Sequence, residues 1–227
     1  MTYSEDITNL EFCFVDSVKS EFKNSQMHPV IVLMLASMTI GFVNSQTLTL
    51  GRCPNIDAKK DFDLAKYAGK WYEHSKNRRY WIIMDTGLKC ASETYTLDGN
   101  DTLLMHHQGQ RILNNRYVSV KAVGKHVAPG KLLFTFNDVT IHGTAVEDAP
   151  YWILDTDYEN YAVVWSCSEN AGMKAEITWI LTRQIKPEAS VVRAAMDILS
   201  RNGLSRTSMV KTNHRSRCRH DHRRMPS

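Results

Sequence analysis

Short runs in which apolar and polar residues alternate follow one another along most of this chain. Alternation with a period of two marks half-buried strands. Eight such runs are legible, at 70–77, 89–97, 102–110, 116–125, 131–137, 151–155, 161–167 and 175–182. Turn chemistry separates several of them, at Asp98-Gly99-Asn100, Asn114-Asn115 and Pro129-Gly130. After Pro187 the period changes to that of a helix. Val191, Val192, Ala195, Ile198 and Leu199 recur over 188–200, and Gly203 stops the run. Evenly spaced short strands followed by one helix predict an all-β fold: an eight-stranded up-and-down antiparallel barrel with one C-terminal α-helix packed on the outside.

Alternation also assigns faces. In the last run Ala175, Ile177, Trp179, Leu181 and Arg183 share the inward face, which leaves Lys174, Glu176, Thr178, Ile180 and Thr182 on the wet one. In the first run, Trp71 carries Glu73 and Ser75 inward with it. A dry core would not tolerate those polar groups, whereas a pocket can satisfy them with ligand or water. The segment 52–68, anchored by Phe62, Leu64 and Tyr67, reads as a loop with a short helical turn that covers one end of the barrel.

The region before the strands has a different character. Residues 28–43 carry no charge, and their apolar run of roughly 14 is short of the about 20 that a membrane-spanning helix needs. Small residues follow at 43–45, so 27–45 reads as a secretory signal peptide cut after Ser45. Residues 1–26 are an N-terminal extension of mixed charge. The five cysteines are Cys13, Cys53, Cys90, Cys167 and Cys218, and none forms C-x-x-C. Cleavage removes Cys13 and leaves an even set, as a secreted disulfide framework needs. The net charge of +4 is concentrated at 206–227, where seven Lys and Arg face one Asp. The expected organisation is therefore an extension at 1–26, a signal at 27–45, a barrel domain at 46–203 and a basic tail at 204–227.

Three motifs punctuate the barrel: Gly69-Lys-Trp71-Tyr-Glu73, Thr156-Asp157-Tyr158 and Thr182-Arg183. Together with Leu50-Gly-Arg-Cys-Pro54, the stretch at 149–162 (APYWILDTDYENYA) and Trp179-Ile-Leu-Thr-Arg183, they resemble the lipocalins of the apolipoprotein D and Lazarillo group. The resemblance covers roughly 47–203 and is weak over 99–148. It implies a lipocalin barrel whose floor is closed by Trp71, with the Arg183 guanidinium stacked on the indole. It implies the pairings Cys53–Cys167 and Cys90–Cys218, where the sequence alone leaves three pairings open. It places Tyr95 and Trp179 in the pocket wall, joined in this reading by Trp165 and by Phe134 or Phe136, with Glu73 and Ser75 orienting a polar end. The implied ligands are sterols, retinoids, fatty acids or bilins. The segment 142–148 departs from the group's pattern and is expected to form a loop at the pocket mouth.

The expected function is a secreted, extracellular carrier of one small hydrophobic ligand, with no cofactor and no enzymatic activity. No phosphate-binding glycine loop, H-E-x-x-H or G-x-S-x-G is present in the sequence. The alternative is a thiol- or methionine-dependent lipid-modifying or antioxidant protein, using a free cysteine or Met84, Met105 and Met173. Asn100-Asp-Thr102 is a glycosylation sequon on a hairpin turn. His106 and His107 are neighbours on a strand and point to opposite faces, which argues against a shared metal ion. The tail suits anionic lipid headgroups or a glycosaminoglycan, with a weak metal option at His220 and His222. Nucleic acid is not an expected partner.

Overall fold

The computed structural model describes residues 49–77, 88–141, 144–170, 172–214 and 218. The extension, the signal peptide, Cys13, Met84, His142, His220, His222 and half of the tail lie outside these residues. The strands β1 (Thr49–Leu50), β2 (Gly69–Asn77), β3 (Leu88–Asp98), β4 (Thr102–Arg111), β5 (Tyr117–Ala128), β6 (Lys131–Ile141), β7 (Thr144–Thr156), β8 (Tyr161–Asn170), β9 (Met173–Thr182) and β10 (Met209–Lys211) form one sheet. Successive strands from β2 to β9 are antiparallel neighbours, and β9 pairs with β2 to close an eight-stranded barrel. The helices are a single turn, α1 (Leu64–Tyr67), and α2 (Ala189–Arg201). All eight expected strands and the expected helix are present. β7 is much longer than the run at 151–155: it begins at Thr144, so the segment 142–148 is mainly strand rather than a mouth loop.

The strand directions define two ends. The turns 99–101, 129–130 and 157–160 lie at one end with α1, which closes it. The turn 112–116 lies at the other. The 52–68 segment is tied across the closed end: the Lys59 N–H donates to Ile153 O at 2.8 Å, and Asp63 caps α1 by accepting from the Lys66 N–H at 3.0 Å.

Two apolar clusters share the barrel wall. The inner one includes Tyr67, Trp71, Tyr95, Leu103, Phe134, Ile153, Val164 and Leu181. The outer one forms where α2 lays Ala195, Ile198 and Leu199 over Leu154, Val163, Trp165 and Ile180. Burial of aliphatic side chains of this size is worth about 1.5–3 kcal/mol each, which holds the helix to the wall. The outer cluster corrects two expectations. Trp165 is not in the pocket wall: it is 1% exposed outside the barrel, its ring 5.1 Å from that of Trp152. The outward face of β9 is not wet, since Thr178, Ile180 and Thr182 are buried.

The C-terminal segment is part of the barrel. β2 pairs with β3 only through Tyr72, after which β3 bends away through a bulge between Lys89 and Ser92, with Cys90 at φ +61°. β10 occupies the vacated edge, Lys211 opposite Ser75 and Met209 opposite Asn77. The Thr212 N–H donates to His74 O and the Cys90 N–H to Asn213 O, each at 2.9 Å, so the chain is laced between the two strands. The disulfide Cys90–Cys218 fastens this strap, while Cys53–Cys167 ties the N-terminal segment to β8.

Candidate functional site

The floor is built from the three sequence motifs. Gly69 has φ +98°, and a side chain there would begin 3.1 Å from Arg183 Nη1. Only glycine combines that backbone with that approach. Arg183 stacks its guanidinium 3.7 Å from the Trp71 ring centroid. It also donates to the carbonyls of Tyr158 (2.9 Å), Lys70 (3.0 Å), Lys66 (3.1 Å) and Ala68 (2.9 Å). Thr156 and Asp157 shape the turn that presents the Tyr158 carbonyl. The Asp157 carboxylate accepts from the N–H groups of Glu159, Asn160 and Tyr161 at 3.2, 2.8 and 2.9 Å. Partial burial pulls its pKa upward, but these bonds hold it below the usual carboxylate range.

Above the floor stands a cluster of phenols. Tyr151 OH lies 2.6 Å from Tyr95 OH and 3.1 Å from Tyr67 OH. Burial pushes all three phenols up, so they remain neutral hydrogen-bonding groups at physiological pH. Phe134 packs edge-on against Tyr151, and Trp179 and Phe136 join the same inner cluster. Tyr95, Phe134, Phe136 and Trp179 thus lie on the inner side of the wall. Gly124 leaves room for Phe134, since a Cβ there would lie 2.4 Å from its ring.

A β-bulge decides the polar part of the interior. Glu73 pairs with Leu181, Ser75 with Ile180 and Lys76 with Trp179. Leu181 and Trp179 belong to the inner cluster and Ile180 to the outer one. The extra residue, His74, therefore breaks the alternation. Glu73 stays inside as expected, but Ser75 faces out and Lys76 takes the inward position. Glu73 and Lys76 are each 1% exposed and form an ion pair at 3.1 Å. The Thr212 hydroxyl donates to Glu73 Oε1, and His214 Nε2 donates to the Glu73 backbone carbonyl at 2.8 Å.

One step nearer the floor, Glu93 is opposite Trp71 on β2 and His107 on β4. His107 Nδ1 meets Glu93 Oε1 at 3.0 Å. Burial pulls the imidazole's pKa down, but the Glu93 hydrogen bond and charge, with Glu73 beyond, hold it above its ordinary value. The other oxygen, Glu93 Oε2, is buried and has no hydrogen-bond partner among the described residues. Tyr67, Lys76, Glu93, His107, Tyr151 and Thr212 are interior residues that the sequence reading did not assign to the site. For Glu93 a signal existed, because it stands two positions before the inward Tyr95. For Lys76 there was none, since the bulge inverts its face. Asn100 is exposed in the turn at the closed end. No group of three His, Cys, Asp or Glu is gathered for a metal ion among the described residues.

The model of the Lipocalin / cytosolic fatty-acid binding protein family matches residues 68–216, more than half of the chain. Among similar proteins, apolipoprotein D of Cavia porcellus is 31% identical over 188 residues, covering 80% of this chain and 94% of that protein. The Lazarillo protein of Schistocerca americana is 28% identical, covering 72% and 75%. Lobster apocrustacyanin A1 shares the fold with a TM-score of 0.62 at 21% identity, over 77% of this chain and 95% of that structure. Insecticyanin from Manduca sexta does so with a TM-score of 0.62 at 22% identity, over 73% and 88%.

Proposed function

Since this chain belongs to the lipocalin family, we propose that it carries one small apolar ligand inside the barrel, and that the ligand is neutral and bears a hydroxyl group. The observation that carries the second half is Glu93 Oε2, buried and unpartnered among the described residues. An unpaired buried acceptor costs about 1–3 kcal/mol, and more when charged, so a donor from the ligand recovers that cost. A ligand carboxylate would instead meet two carboxylates, Glu73 and Glu93, with Lys76 already paired to the first. A sterol or retinoid alcohol fits this interior better than a fatty-acid anion. Trp179, Phe134 and Phe136 supply apolar wall, at about 25 cal/mol per Å² of ligand surface buried.

Two disulfides suit an oxidising compartment, in keeping with export. They also leave no free thiol among the described residues, and Met105 is buried in the inner cluster. Met173 is exposed on β9, so the paired cysteines favour binding over thiol chemistry, while methionine chemistry stays with the alternative reading. The basic composition of the sequence at 204–227 suits anionic headgroups or a glycosaminoglycan.

Tryptophan fluorescence titration with matched alcohol and acid pairs tests the proposal. Retinol is expected to bind about tenfold or more tightly than retinoic acid, a difference of about 1.4 kcal/mol, with Glu93→Gln narrowing the gap. Tighter binding of the acids by the parent protein would overturn the hydroxyl assignment.

A further inference from the structure

Outside the barrel, between α2 and β10, the surface sinks into a groove of about 620 Å³. Small-ligand pockets run to about 300–1,000 Å³. Val192 and Met196 of α2 and Met209 of β10 give the groove an apolar floor, and methionine's flexible thioether adapts well to an alkyl chain. Lys186, Arg193 and Lys211 line it as well, and no carboxylate does. All three cations are exposed, and none has an ion-pair partner among the described residues.

We propose that this groove is a second binding site, for a single-chain lipid with a phosphate headgroup. The acyl chain lies along Val192, Met196 and Met209, and the phosphate sits among Lys186, Arg193 and Lys211. Three unpaired cations match a doubly charged phosphate monoester better than the single charge of a fatty acid, and a neutral lipid would leave them unused. His74, on the groove wall, reports the same field. Burial first, then Lys211 and His214, hold its pKa down at about 4. The site is separate from the barrel interior, because the bulge in β2 turns Ser75 to the groove and Lys76 to the inside.

The test is an amide-shift NMR titration of the labelled full chain with oleoyl lysophosphatidate, kept below its micelle-forming concentration. Oleate and monooleoylglycerol serve as parallel ligands. The lysophosphatidate is expected to shift residues 186–196 and 209–211, and to bind about tenfold or more tightly than either comparison lipid. The variant Lys186→Gln/Arg193→Gln/Lys211→Gln, altered only at exposed positions, should give the parent spectrum elsewhere and lose about tenfold or more in affinity. Shifts centred on Glu93 and Trp179 would overturn the proposal, as would equal binding of monooleoylglycerol or oleate, or an unchanged affinity in the triple variant. Capture by phosphatidic acid vesicles without binding of the monomeric lipid would overturn it too, and would identify a membrane-facing surface instead.

Discussion

His74 should make this barrel sensitive to mild acid. The imidazole sits at the β2 bulge, 7% exposed, with Lys211 and His214 nearby. Burial first, and then those two groups, hold its pKa near 4 instead of the ordinary 6.5. The sign follows from proton counting. Above pH 6.5 neither the folded nor the unfolded chain is protonated at this site, and its stability contribution is complete. Below 6.5 the unfolded chain takes a proton that the native chain refuses, so stability falls with pH until the native group also titrates near 4. The full displacement corresponds to about 3 kcal/mol, of which roughly 2 is expressed by pH 5.

His107 works in the opposite sense. Its raised native pKa gives a contribution that is complete below the ordinary 6.5 and is lost as pH rises through the native value. Acidification from neutrality therefore adds stability there while removing it at His74, and the parent protein alone would mislead. The informative experiment is urea unfolding of parent and His74→Gln at a series of pH values from 7.5 to 4.5, read as the difference between the two. That difference should move in favour of the variant by roughly 2 kcal/mol between pH 7 and pH 5. Parallel loss of stability in both proteins would refute the assignment and move the acid sensitivity elsewhere.

Arg183→Lys should lower the unfolding free energy by about 2–4 kcal/mol in urea, because a lysine cannot keep the stacking on Trp71 together with four carbonyl contacts. Gly124→Ala should cost about 1–3 kcal/mol in thermal unfolding and weaken retinol binding, since the new methyl group would strike the Phe134 ring. Lys76→Met should destabilise by about 3–5 kcal/mol in urea by leaving Glu73 buried without its ion pair. The double variant Glu73→Gln/Lys76→Met should recover part of that loss.

Most of the scaffold was legible because its signals are local. Alternation located every barrel strand, and the floor motifs are short residue strings, with Arg183 also reaching the carbonyls of Lys66 and Ala68 just before the first of them. The failures have specific causes. In β8 the run Ala162, Val163, Val164, Trp165 is apolar on both faces, because α2 covers the outside. Period-two reading has nothing to say about such a strand, and Trp165 was assigned to the wrong side. The segment 142–148 was expected as a mouth loop because it departs from the pattern of the apolipoprotein D group, yet 144–148 extends β7. The strap at 209–214 was hidden in a charged region, since three residues are too few to show a period. Its place is set by the gap that β3 leaves beside β2.

That gap and the His74 bulge are linked. Where β3 departs, the upper half of β2 must find a new partner, and β10 supplies it across Ser75, Lys76 and Asn77. In the same stretch one extra residue reverses the facing of the strand. The reversal sends Lys76 inward to neutralise Glu73, whose other oxygen contact, Thr212, comes from the chain that follows β10. It sends His74 and Ser75 outward to form a wall of the groove under α2. A single irregularity in one strand thus fixes both the polar lining of the interior and the outer cationic groove. Deleting His74 should nevertheless leave Glu73 and Lys76 facing inward, because Glu73, Ser75 and Lys76 already pair with the consecutive residues Leu181, Ile180 and Trp179, and replacing its side chain should leave that facing unchanged too. Retinol affinity measured on the two variants checks this register: both should bind retinol as the parent does, a loss with the deletion alone would refute the pairing, and an equal loss with His74→Gln would assign the effect to the imidazole.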